Sequence, residues 1–305
     1  MTKVSFLVAL LAQGSTAAFV PSCKTRHSPL VVGPSTLASS PFPKSTSFLL
    51  ERQETKLLAA NSDDGVDETK NLAVSAFFLL SSATLGKLFF EIQGSGLEMT
   101  IGMWALLLTT AAVGYDNLVI GLGAPFFGDA ETNEETYNTL KTLSYPRFTA
   151  HAVLVPFLYA TGAEIGKSIG VDWLQSDSIQ TLTVAAAATL GVLSRVRFVN
   201  STGIDLSDTN DSEGTWEKNL IWFTYKNPEF LYVIPSIVLA LFNLAIGVAA
   251  FGGEERTAAT WMIVSAVAVL YGSAKPSYIM RFTGNLGEVA MLWSIYEAST
   301  SIVMK

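Results

Sequence analysis

Residues Met99–Leu122 read MTIGMWALLLTTAAVGYDNLVIGL, a run of 24 residues carrying a single charge, Asp116. About 20 apolar residues span a bilayer as a helix, so this run is long enough. Backbone groups in lipid must pair within the protein, which leaves helices or a closed barrel. The run shows no strict alternation of apolar and polar residues, so it reads as a helix. Six further apolar stretches lie around it: Asn71–Phe90, Phe148–Gly166, Ile179–Ser194, Phe230–Phe251, Ala258–Ser273 and Leu286–Met304. The expected fold is all-α, a polytopic integral membrane helical bundle of about seven transmembrane helices over residues 71–305. The last stretch is the weakest, because it holds Glu288 and Glu297. If it is re-entrant, six helices cross.

Composition points the same way. Half of the residues are hydrophobic and 15% are charged, against about 25% charged in a soluble domain. Mean hydropathy is +0.39. A soluble globular enzyme is therefore excluded as the leading class, and the lipid bilayer is the first expected partner. A net charge of −7 argues against nucleic acid, whose binders need a basic face. The one cysteine, Cys23, excludes a disulfide within the chain and zinc or iron–sulfur sites built on cysteine.

The N-terminal region has a different character. Residues 1–18 read as a signal peptide: Lys3 is the charged start, Val4–Ala12 the apolar stretch and Ser15–Ala18 the small residues before a cut. Phe19 to Leu50 is rich in Ser, Thr and Pro and bears Lys24, Arg26 and Lys44, while residues 1–50 contain no Asp or Glu. That is the composition of a plastid transit peptide, here over 19–60. The junction Ala17-Ala18-Phe19-Val20-Pro21 resembles that of the bipartite plastid presequences of diatoms and related algae, in which a signal peptide is cut just before an aromatic residue. The resemblance implies import into a plastid, with a thylakoid or inner-envelope membrane as destination, and says nothing of activity. Residues 61–70 are polar and acidic and read as a disordered start of the mature chain. Cys23 precedes the transit cut near Leu58–Ala60, so the mature protein holds no cysteine.

Basic residues then orient the bundle. With seven crossings, the side of the mature N-terminus holds Lys141, Arg147, Arg195, Arg197, Lys218, Lys226, Lys275 and Arg281. The other side holds Lys87, Lys167, Arg256 and Lys305. Eight against four makes the first side the positive one, the stroma in a plastid. The loops at Gly123–Tyr145, Arg195–Asn227 and Lys275–Gly284 are then all stromal.

Local signals refine the helices. Ser144-Tyr145-Pro146 has the form of a helix start, with Ser as N-cap. Pro156 and Pro235 fall inside the third and fifth stretches and predict kinks. Ala185–Ala188 with Gly191 offers a face for close helix contact. Trp222, Phe223, Tyr225 and Trp173 suit membrane interfaces. Asn117-Leu-Val-Ile-Gly121 and Asn243-Leu-Ala-Ile-Gly247 are similar pentapeptides and raise the question of a two-half repeat, although five apolar residues recur easily by chance.

No catalytic motif is present: there is no Walker loop, nucleophile elbow or HExxH. No catalytic residue and no metal ligand set is assigned, and no cofactor is named. His27 lies in the presequence. The one mature histidine, His151, excludes bis-histidine haem and a histidine-box di-iron site within the chain. Charged groups in membrane segments are costly and mark function by default. Asp116, Asn117, Arg147, His151 and Glu288 form the expected intramembrane polar cluster. Arg147 and His151 share one helix face at i, i+4, and Asp116 has matching depth on the adjacent helix. The competing view is a structural ion pair that fixes the hairpin. Lys87, Glu91, Glu98 and Glu164 lie near helix ends on the far side and read as interfacial. Glu297, nine residues after Glu288, points to the opposite helix face.

The Arg195–Pro228 loop holds Asp205, Asp208, Asp211 and Glu213 but departs from a calcium loop, with Glu213 where Gly is needed and Asn219 for the final Glu. Sequons at Asn200 and Asn210 go unused on the stromal side. The expected function is non-enzymatic: small-molecule or ion translocation, or assembly of a photosynthetic or other plastid membrane complex. The alternative is an integral membrane enzyme acting on a lipid, isoprenoid or pigment. Translocation needs polar groups that continue past mid-membrane. An enzyme needs the polar cluster in a cavity.

Overall fold

The computed structural model of the chain describes residues 68–127, 133–200, 204–206, 223–225, 234–273 and 280–303. The expected presequence, the sequon at Asn210 and the loop acids Asp208, Asp211 and Glu213 lie outside the described residues, and of the sequon at Asn200 only the asparagine backbone is described. Eight α-helices occur among those described: α1 Glu68–Gly94, α2 Ile101–Phe127, α3 Glu134–Leu154, α4 Leu158–Ser168, α5 Asp177–Asn200, α6 Ile234–Ala250, α7 Arg256–Ser273 and α8 Met280–Val303. Turns of 3-10 helix cover Val155–Phe157, between α3 and α4, and Asp172–Leu174. The end of the expected disordered segment 61–70 is therefore helical, from Glu68 onward.

Four helical stretches are long and apolar enough to cross a membrane: Ser75–Gly94, Ile101–Gly123, Glu134–Ser168 and Asp177–Val196. Helices α6 and α7 are apolar but shorter. Among the described residues the regular structure is helical apart from a small antiparallel ribbon, β1 Ile204–Leu206 with β2 Phe223–Tyr225, in which Asp205 faces Thr224. This ribbon stands where an irregular loop was expected, and it takes up Phe223 and Tyr225.

The start of α3 differs from the sequence expectation. Ser144-Tyr145-Pro146 does not open a helix, because α3 begins ten residues earlier at Glu134. The side-chain oxygen of Asn133 accepts from the backbone N–H groups of Glu135 (2.9 Å) and Thr136 (3.2 Å), making Asn133 the cap. Glu134 and Glu135 then sit in the first turn, where the helix dipole favours negative charge. Pro146 lies inside α3, has no N–H to donate and crowds the preceding turn. Tyr115 of α2 compensates there, its hydroxyl donating to the Leu143 carbonyl at 2.9 Å. Pro235 is the second described residue of α6, so the kink expected there falls at the edge of the described residues. Pro156 does interrupt its helix, and the backbone tightens to 3-10 geometry around it. A second break comes at Gly123, where the backbone of α2 leaves helical angles.

Helix α2 packs against α1, α3, α4 and α8; α4 also meets α5 and α6; α7 packs against α6 and α8. Helix α8 touches α1, α2, α4 and α7. This explains its low hydropathy, since Met291, Leu292, Ser294, Ile295, Ala298 and Ser299 are buried against protein. On α1 the buried face runs Phe78, Leu85, Leu88 and Ile92, while Leu80 and Phe90 point outward. On α5 the inner face is Ala187, Gly191 and Ser194. A side chain at Gly191 would press on the Val153 carbonyl of α3, so this residue sets that contact. Leu182, Leu193 and Val196 of α5 face outward, as lipid-facing positions do.

Candidate functional site: a polar seam along α2

Asp116 and Arg147 meet directly. Arg147 Nε donates to Asp116 Oδ1, and the residues are 3% (Arg147) and 6% (Asp116) exposed. Arg147 Nη1 also donates to Ser144 Oγ at 3.3 Å, so Ser144 serves the pair instead of capping a helix. Arg147 lies well inside α3 rather than at its start. Asn117, fully buried, faces a different neighbour. Its Nδ2 donates to the Val113 carbonyl (2.8 Å), and its Oδ1 accepts from Asn285 Nδ2 of α8 (3.3 Å). Glu288 is half-buried one turn beyond Asn285. The backbone of His151 is one turn after Arg147 in α3, and its side chain lies outside the described residues. Asn285 was not anticipated, and its position three residues before Glu288 was the available signal.

The opposite end of α2 carries a second polar group. Thr100 Oγ1 donates to Glu164 Oε2, and the N–H of Gly102 donates to Glu164 Oε1 at 3.1 Å. Thr161 Oγ1 donates to the Gly102 carbonyl at 2.8 Å, and Thr100 Oγ1 accepts from Met103 N–H at 3.2 Å. The carboxylate of α4 thus caps the positive end of α2. Glu164 is half-buried and tied to another helix, which corrects its reading as an interfacial, solvated group. Gly102 makes the contact possible: a Cβ there would come within 2.7 Å of Thr161 Cα.

These two ends share one register. Fourteen residues separate Gly102 from Asp116 on α2, and fourteen separate Arg147 from Thr161 across α3 and α4, about 21 Å of helix on each side. Asp116, Thr109 and Gly102 recur at seven-residue steps, within about 40° of one another around α2. Thr109 is 1% exposed, and its hydroxyl has no hydrogen-bond partner. Polar groups therefore stand at three levels along one face of α2: beside its start at Thr100–Gly102, at Thr109 and at Asp116.

Two other polar contacts tie helices elsewhere. Asn243 of α6 donates from Nδ2 to Ser265 Oγ of α7 at 3.0 Å. Near the C-terminal ends of α1 and α8, Trp293 Nε1 donates to Glu297 at 3.0 Å, and Lys87 pairs with Glu91 at 3.4 Å. The Lys87 ammonium lies 5.5 Å from the Trp293 ring centre. Glu297 thus pairs within its own helix.

No protein-family model, curated protein or solved structure matches the chain. Its class rests on the fold: an all-helical protein with four helices long and apolar enough to cross a membrane.

Proposed function

We propose that this is a multi-pass plastid membrane protein that translocates an ion and catalyses no covalent reaction. In this reading seven helices cross, α3 and α4 forming one crossing broken at Pro156, and the side richer in basic residues, with the mature N-terminus, faces the stroma. The described part of α6, 17 residues, is about 26 Å long, close to the ~30 Å hydrocarbon thickness. The observation that carries the reading is the recurrence of polar groups at three levels along one face of α2. Asp116–Arg147, Thr109 and Thr161–Glu164 cover most of the length of α2, whereas a structural ion pair needs only one level. Intramembrane carboxylates in series mark ion or proton pathways. Side chains meet directly at both ends of the seam, so cargo of ionic size suits it better than an organic solute.

The test uses the full mature chain reconstituted in liposomes, with imposed gradients of protons, sodium, potassium and chloride. Dissipation of at least one gradient is expected, reduced about tenfold by Asp116→Asn at equal protein content. Wild-type protein that dissipates none of the four would overturn the proposal.

A further inference from the structure

Thr109 differs from its neighbours. Thr110, Thr142, Thr181, Thr183, Thr189 and Thr260 each donate to the carbonyl four residues back in their own helix. Thr109 does not, although its hydroxyl is buried and unpartnered. A helical threonine divides between rotamers according to whether that back-bond forms, so the Thr109 hydroxyl is turned away from its own carbonyl ladder. A buried hydroxyl without a partner is destabilising and calls for one.

The helix opposite has a matching deficit. The shared register sets Thr109 level with Leu154, beside the 3-10 turn Val155–Phe157 that α2 packs against. Pro156 has no N–H, so the carbonyl of buried Ala152 lacks its α-helical donor. A donor and an acceptor are thus short of partners at one level of the seam. Water accepts from one and donates to the other, and buried water typically occupies such positions.

We propose that Thr109 and the Pro156 break hold bound water midway along the seam, and that the translocated ion is the proton. This rests on the translocation reading and names its cargo. A metal cation would need several oxygen ligands at this level and would meet the Arg147 guanidinium beside Asp116. A proton needs one acceptor at a time. The steps from Thr109 to Asp116 and to Gly102 are each about 10 Å along the helix, a distance that two or three hydrogen-bonded waters bridge. In transit each water takes a proton from one neighbour and passes a different one onward. One proton leaves for each that enters, and every carboxylate and water returns to its starting state.

Thr109→Val keeps the shape and removes the hydroxyl, while Thr109→Ser keeps the hydroxyl. In liposomes holding a pH-sensitive dye, Thr109→Val is expected to lower proton flux about tenfold, with Thr109→Ser within about threefold of wild type. Thermal unfolding in detergent should be unchanged in both. Unaltered flux in Thr109→Val with an unchanged or raised midpoint would show the hydroxyl idle and overturn the proposal. Sodium or potassium flux exceeding proton flux would overturn the cargo while leaving translocation standing. Hydroxyl-radical labelling, generated from bound water by X-rays, tests the hydration apart from any flux. Leu154 and Pro156 should label in wild type and be protected in Thr109→Val, and their absence from the labelled set in wild type would remove the water site.

Discussion

Asp116 and Arg147 are each costly in an apolar surrounding, and each makes the other tolerable. Removing one partner leaves a lone buried charge, at about 3–5 kcal/mol by analogy with soluble cores. Asp116→Ala should therefore lower the thermal midpoint in detergent and the amount of protein that accumulates. Replacing both, as Asp116→Leu with Arg147→Met, should recover much of the stability, since no charge is then stranded. A double variant no more stable than Asp116→Ala would mean the pair contributes beyond mutual neutralisation. This pair was legible in the sequence because a charge inside an apolar run must find a partner, and adjacent helices offer the nearest one. Thr109 was not legible. Its neighbour Thr110 has the same chemistry, and only the chosen rotamer separates an idle back-bond from an open hydroxyl. Glu164 was misjudged for a related reason: a carboxylate near a helix end has the same sequence context whether it faces water or the N-terminus of another helix.

The helices meet closely where side chains are small. A methyl group added at Gly102 would collide with Thr161 backbone and with Glu164, whereas one at Gly86 of α1 meets nothing within 4 Å. Gly102→Ala is expected to destabilise by about 1–3 kcal/mol, and Gly86→Ala to be neutral or stabilising by up to about 1 kcal/mol. Unfolding in detergent measures both, and equal effects would contradict the packing described. The two related pentapeptides acquire a common role here. Asn117 and Asn243 are both buried and bond to another helix. Gly121 lies against Leu79 and Gly247 against Ile263 and the Ala259 carbonyl. The pattern marks polar tie and close approach one turn apart, on helices paired differently in the chain. The apolar stretches themselves were legible, since hydropathy over 20 residues survives local error. Their ends were not. Asn133 caps α3 from a polar region that no hydrophobic pattern marks, and Pro146 sits within a helix because Tyr115, distant in sequence, meets the turn it disturbs.

For the whole molecule, orientation and address are the quantities to measure. Single cysteines at Asn138 and Asp172, both exposed and at opposite ends of the α3–α4 crossing, should react with an impermeant reagent from opposite sides, Asn138 from the stroma. Labelling of both from one side would remove the crossing. Residues 1–60 fused to a fluorescent protein should direct it to the plastid, with loss of targeting in Phe19→Ala; secretion of the fusion would reject the proposed address. The helical, apolar character of the chain was legible from the sequence, but which helix is central was not. Helix α8 has Glu288, Glu297 and buried serines because it packs against α1, α2, α4 and α7, and a hydropathy profile scores such a helix as doubtful. Its position also carries a consequence for biosynthesis. Translation delivers α8 after the other described helices, yet Asn285 supplies the partner of Asn117 on α2. The early helices are thus made with an amide waiting for a segment still on the ribosome. An insertion factor or chaperone that shelters α2 until α8 arrives would bridge that interval.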